Sequence, residues 1–94
     1  MNEQEVLEAI SNGDSAYGVM KDRAPQLERK FRHLCKNIRE LLKEAQQEFP
    51  DAQYYTASGG FNLMLGRSHD DHGRSHSELV ALCGEGVSIG DGDF

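Results

Sequence analysis

The chain has 94 residues, of which 37% are hydrophobic and none is tryptophan, and its formal net charge is −6. That suffices for one small domain with a single core, and it is too apolar a composition for a disordered chain. No run approaches the ~20 apolar residues that a membrane span needs. Met1 to Ala9 contain three glutamates and no basic residue, so no secretory leader is expected and a cytoplasmic location is.

Charge is segregated along the chain. Residues 1–20 sum to −4, residues 21–43 to +5 and residues 44–94 to −7, so a basic middle lies between acidic flanks. Strong segregation of this kind bears on partners rather than on fold.

In chain order, residues 2–12 read as a short helix capped by Asn2, with Val6, Leu7 and Ile10 as an apolar patch and Asn12-Gly13 as a stop. Residues 13–24 are expected to be a structured linker. Ser15 offers a helix start there, but Gly18 interrupts the turn that would hold Tyr17 and Met20.

Residues 25–49 give the clearest signal. Leu27, Phe31, Leu34, Ile38, Leu41 and Ala45 recur at alternating steps of four and three, which keeps them on one side of a helix. Cys35, Leu42 and Phe49 widen that side, and a broad apolar side suits a sheet or several helices better than a bare two-stranded coiled coil. Pro25 and Pro50 mark its ends. The helix is then roughly 35–40 Å long at about 1.5 Å per residue.

After Pro50 the period changes to two. Gln53–Ser58 is rich in β-formers, and Phe61, Leu63 and Leu65 alternate with Asn62, Met64 and Gly66 as a strand with one buried face. Gly59-Gly60 between them is a hairpin signal. Leu79–Cys83 reads as a third strand, and Val87–Ile89 as a short fourth after Gly84-Glu85-Gly86. A polar loop, residues 67–77, joins the second and third strands, and residues 91–94 read as a frayed tail. The expected fold is therefore α+β: one domain over 1–94, with a short N-terminal helix and a long helix packed on a three- or four-stranded antiparallel meander over 52–90.

Motifs for chemistry are sparse. His69, Asp70, Asp71, His72 and His76 place three imidazoles and two carboxylates within eight residues, the donor types that zinc or nickel accepts. Structural zinc sites draw ligands from separated elements, so a solvated loop is the expectation and no cofactor is assigned. His69-Asp70 also matches the doublet of helical metal-dependent phosphohydrolases, but here it lies in a loop of a chain too short for that scaffold. Gly84-Glu85-Gly86 lacks the spacing and helix of a dinucleotide loop, and Asp91-Gly92-Asp93 is too short for a calcium loop. Neither a phosphate-binding P-loop nor a serine nucleophile elbow is present. Gly-Arg-Ser-His occurs twice, at 66–69 and 73–76, a separation too short for a repeat architecture. Cys35 and Cys83, the only cysteines, each sit in an apolar pattern and are expected to be buried thiols. No enzymatic activity is expected.

The outer side of the long helix carries Arg29, Arg32, Lys36, Arg39 and Lys43 at steps of three and four, a basic stripe. Basic residues gather toward the helix start and Glu44 and Glu48 at its end, opposite to what the helix dipole favours. Packing must therefore hold this helix. The stripe is the expected binding surface of a small interaction or regulatory protein whose partner is another protein. A homodimer is expected, because two copies with antiparallel helices would set the basic half of one against the acidic end of the other. Metal binding through His69, His72 and His76 is the first alternative function; contact of the stripe with nucleic-acid phosphates is another, and the acidic flanks oppose it.

Overall fold

The structure, a computed structural model, describes residues 1–57 and 60–90. Helices α1 (Glu3–Ser11), α2 (Ala16–Arg23) and α3 (Gln26–Glu48) precede strands β1 (Gln53–Ala57), β2 (Gly60–Met64) and β3 (Val80–Cys83), with a 3-10 turn at Ser77–Leu79 leading into β3. The protein is α+β, with the short first helix, the long helix and the antiparallel sheet that the periodicities predict. The chain divides between Ile38 and Arg39 into two compact units, and α3 continues unbroken through that point.

In the first unit, α1 starts on a reciprocal cap. Glu5 N–H donates to the Asn2 side-chain oxygen at 2.9 Å, and Asn2 N–H donates to Glu5 Oε1 at 3.3 Å. Two amide groups that helix geometry leaves without partners are satisfied at once. Past Asn12 the backbone turns through Gly13 at φ 103°, where a side chain would be strained.

Residues 16–23 correct the linker expectation: they form a helix. Ser15 caps it, its hydroxyl accepting from Gly18 N–H at 3.0 Å. Gly18 is not a break. A Cβ there would collide with the Asp14 carboxylate and crowd the Ser15 hydroxyl, so the glycine makes room for the capping turn. Val19, 9% exposed, is the buried apolar residue of this unit, where α1 and α2 touch.

In the second unit, the end of α3 is tied to the start of β1. Gln46 Nε2 donates to the Ala52 carbonyl at 3.0 Å, and Ala52 N–H donates to the Phe49 carbonyl at 2.8 Å. The strands form a meander in the order β1-β2-β3, every pair antiparallel. In β1–β2, Gln53 pairs with Met64, Tyr55 with Asn62 and Ala57 with Gly60. Tyr54 stacks on Phe61 with ring centroids 4.9 Å apart, a diagonal contact across the two strands.

The buried apolar side chains described here are Met64 and Ala52, 2% and 3% exposed, and Gly66 is buried as well. Met64 corrects the expected alternation, which set it opposite Phe61 and Leu63 on the open side. Beside it the register with β3 is irregular. Leu63 pairs with Leu82 but Met64 with Val80, leaving Ala81 as an extra residue in β3. Such a bulge re-aims the strand locally, and Leu65 already lies beyond β2.

Val87–Ile89 form no strand, which corrects the fourth-strand expectation. The chain turns at Gly86, φ 73°, and beyond it Val87 is exposed and Ile89 half-buried, with no ladder partner among the described residues. Gly60 begins β2 as the partner of Ala57; Gly59 of the expected Gly59-Gly60 turn, Ser58 and the tail at 91–94 lie outside the described residues.

Candidate functional site

Among the described residues, a row of large apolar side chains is left open along the long helix. Along α3, Leu27, Phe31, Leu34 and Leu41 are 47%, 66%, 53% and 51% exposed, and none of its residues is fully buried. Ile38, Leu42, Ala45 and Cys35 on the same side are half-buried. Single exposed leucines are ordinary on a protein surface, but a row along one helix side is not.

The opposite side holds the predicted stripe. Arg29, Arg32, Lys36, Arg39 and Lys43 are all exposed, as the period of 3.6 requires. Arg32 is engaged within its own helix, its guanidinium 3.5 Å from the Glu28 carboxylate one turn earlier.

Glu28 is a junction that the sequence pattern did not single out. Its carboxylate accepts from the Tyr17 hydroxyl at 2.8 Å and lies 3.5 Å from the Lys21 ammonium, so α2 and the first turn of α3 meet on one acidic group. The Tyr17 hydrogen bond, helped by Lys21 and Arg32, holds the Glu28 carboxyl below the usual glutamate range. Nothing in the spacing of Tyr17, Lys21 and Glu28 flags this, because the contact depends on α2 being a helix.

The His/Asp loop is a small hairpin. His69 pairs with Ser75, Asp70 N–H donates to the Arg74 carbonyl at 2.9 Å, and His76 N–H donates to the Ser68 carbonyl at 2.8 Å. The two Gly-Arg-Ser-His copies thus supply its two arms. Asp70 closes the tip, one carboxylate oxygen accepting from Arg74 N–H at 2.9 Å and His72 N–H at 2.8 Å. Those amides, the Arg74 one foremost, pull its carboxyl below the usual aspartate range. Asp71 instead pairs with Arg67 at 2.9 Å, and the His69 ring meets the Tyr55 ring edge-on at 6.1 Å between centroids. His69, His72 and Asp71 are exposed and His76 half-buried. Among the described residues, no three His, Cys, Asp or Glu side chains come together as a metal-binding group.

Cys35 and Cys83 are both free thiols. Cys35 is half-buried, but Cys83 is exposed at the end of β3, which corrects the expectation of two buried cysteines.

No protein-family model matches the chain, and comparison with curated proteins and with solved structures found no match either. Among the described residues, no helix is long and apolar enough to cross a membrane.

Proposed function

We propose that this protein is a non-enzymatic interaction module that works by binding protein through the open apolar side of α3. The observation that supports the reading is the run of Leu27, Phe31, Leu34 and Leu41 left exposed along one side of a 23-residue helix. An amphipathic helix with its apolar side in water gains by covering it, and helix-to-helix or helix-in-groove contact is the usual way. A few large anchors near the middle of such a surface carry most of the binding free energy, and Phe31, the aromatic of the row and its most exposed member, is the first to test.

Substitution Phe31→Asp tests this reading, since the side chain is open and its replacement leaves the core untouched. Sedimentation of the pure protein up to about 100 μM and affinity capture from lysate would be run on both forms. The expected result is an association, with itself or with another protein, that the substitution weakens roughly tenfold or more. If no association distinguishes the two forms, the apolar side is not a binding surface.

A second reading rests on the exposure of all five stripe residues, Arg29, Arg32, Lys36, Arg39 and Lys43, which is what phosphate contact requires. Opposing it is the net charge of −6. Absence of any mobility shift with single- or double-stranded nucleic acid at low salt would remove this reading.

A further inference from the structure

The spacing of the apolar residues on α3 reads the same in both directions. From Leu27 to Ala45 the steps are four, three, four, three, four. In heptad terms Leu27, Leu34 and Leu41 take d positions and Phe31, Ile38 and Ala45 take a positions. A reversed copy of the same helix therefore stays in step. Centred on Lys36, Leu27 meets the second copy's Ala45, Phe31 meets its Leu41, and Leu34 meets its Ile38, so each layer joins an a residue to a d residue. The widest aromatic and the leucines then fill one seam, and the small Ala45 sits at its ends.

Charge decides the direction. The g positions flanking this seam are Lys30, Asn37 and Glu44, and both charged ones are exposed. In the antiparallel register Lys30 lies beside the second copy's Glu44, twice by symmetry, and Asn37 lies beside Asn37 on the axis. A parallel pair would set Lys30 beside Cys35 and bring the basic starts of both helices side by side, with no opposite charge to meet them. The stripe residues Arg29, Arg32, Lys36, Arg39 and Lys43 fall at b and f, away from the seam, so none of them is forced against its counterpart.

We propose that α3 pairs with the α3 of a second copy of this chain, antiparallel, with Lys30 beside the second copy's Glu44. This rests on the reading of the apolar side as a binding surface and names its occupant.

The test is a charge swap followed by sedimentation. The unchanged protein is expected to be a dimer at about 100 μM. Lys30→Glu and Glu44→Lys are each expected to weaken dimerisation roughly three- to tenfold, because each turns two attractive pairs into two repulsive ones. The double variant should recover the original affinity. Residues 30 and 44 are about 21 Å apart along one helix at ~1.5 Å per residue, so coupling between them reports contact between copies. As a second measurement, in a Cys83→Ser background a short bis-maleimide should join the two Cys35 thiols, which share one flank only when the helices are antiparallel.

A dimer with rescue by the swap supports the proposal. A dimer in which the two reversals add without rescue overturns the register. A monomer at that concentration overturns the second copy as occupant; capture of a different protein that depends on Phe31 would then leave the interaction reading standing.

Discussion

The Tyr17 hydroxyl donates to the Glu28 carboxylate at 2.8 Å, across the turn that separates α2 from α3. This hydrogen bond is the leading cause of the depressed Glu28 carboxyl, and it converts two helices that are adjacent in sequence into one electrostatic junction with Lys21 and Arg32. Substitution Tyr17→Phe keeps the ring and removes the donor. The expected outcome is that Glu28 titrates at higher pH, moving toward the ordinary glutamate range, as read by carboxyl NMR titration. The sign follows from linkage. A carboxyl depressed in the folded state contributes stability that is fully present above its unfolded value and lost as pH falls through its folded one, so the variant should be less sensitive to acid than the parent.

Asn2→Ala removes the side-chain half of the reciprocal cap on α1. Loss of such a cap costs about 1 kcal/mol. Amide hydrogen exchange should show faster opening of the first turn of α1, at Glu3 to Val6, with the protection of β1 and β2 unchanged.

Met64→Ala leaves a hole at the most buried position of the sheet. Truncating a buried methionine costs roughly 2–5 kcal/mol, a large part of the stability of a domain this size. Chemical denaturation should show a lower midpoint. Phe61→Ala, by contrast, removes a half-buried ring stacked on Tyr54 and should cost less.

Asp70→Asn tests the hairpin tip. The carboxylate accepts two backbone N–H groups, and the amide oxygen of Asn can accept both without a charge. Its depressed carboxyl means that the tip is held firmly above the ordinary aspartate range and loosens as pH drops below it. Amide exchange at His72 and Arg74 should therefore speed up in acid in the parent and be nearly pH-independent, after correction for intrinsic rates, in the variant.

Where local chemistry and periodicity act alone, the sequence is a sufficient guide. Asn2 with Glu5 three residues on announces a cap, and the four-three steps from Leu27 to Ala45 announce α3, because both depend on contacts within a turn or two. The sheet was legible for the same reason, through the alternation at Phe61 and Leu63. Three features were hidden because they depend on distant or irregular contacts. Gly18 carries a poor helix propensity, and a Cβ there would meet the Asp14 carboxylate and crowd the Ser15 hydroxyl that caps α2. Met64 is buried although the alternation sets it opposite Phe61 and Leu63, and no pattern in β2 encodes the irregularity beside it in β3. Val87 and Ile89 have the right residue types for a strand but no partner to pair with among the described residues. For the candidate site, the stripe was correctly read as exposed, whereas the openness of the apolar side was not, since an amphipathic pattern states which side is apolar and not what covers it.

The extra residue in β3 lies on an edge of the described sheet. That edge presents Leu82 at 65% exposure beside Cys83. A regular edge of that composition is a template on which another chain can extend the ladder. Ala81 interrupts the regular ladder there, which disfavours an incoming strand holding one register along this edge. The irregularity therefore guards the sheet against edge-to-edge aggregation, and its removal by deleting Ala81 would expose a smooth edge to fibrillar growth.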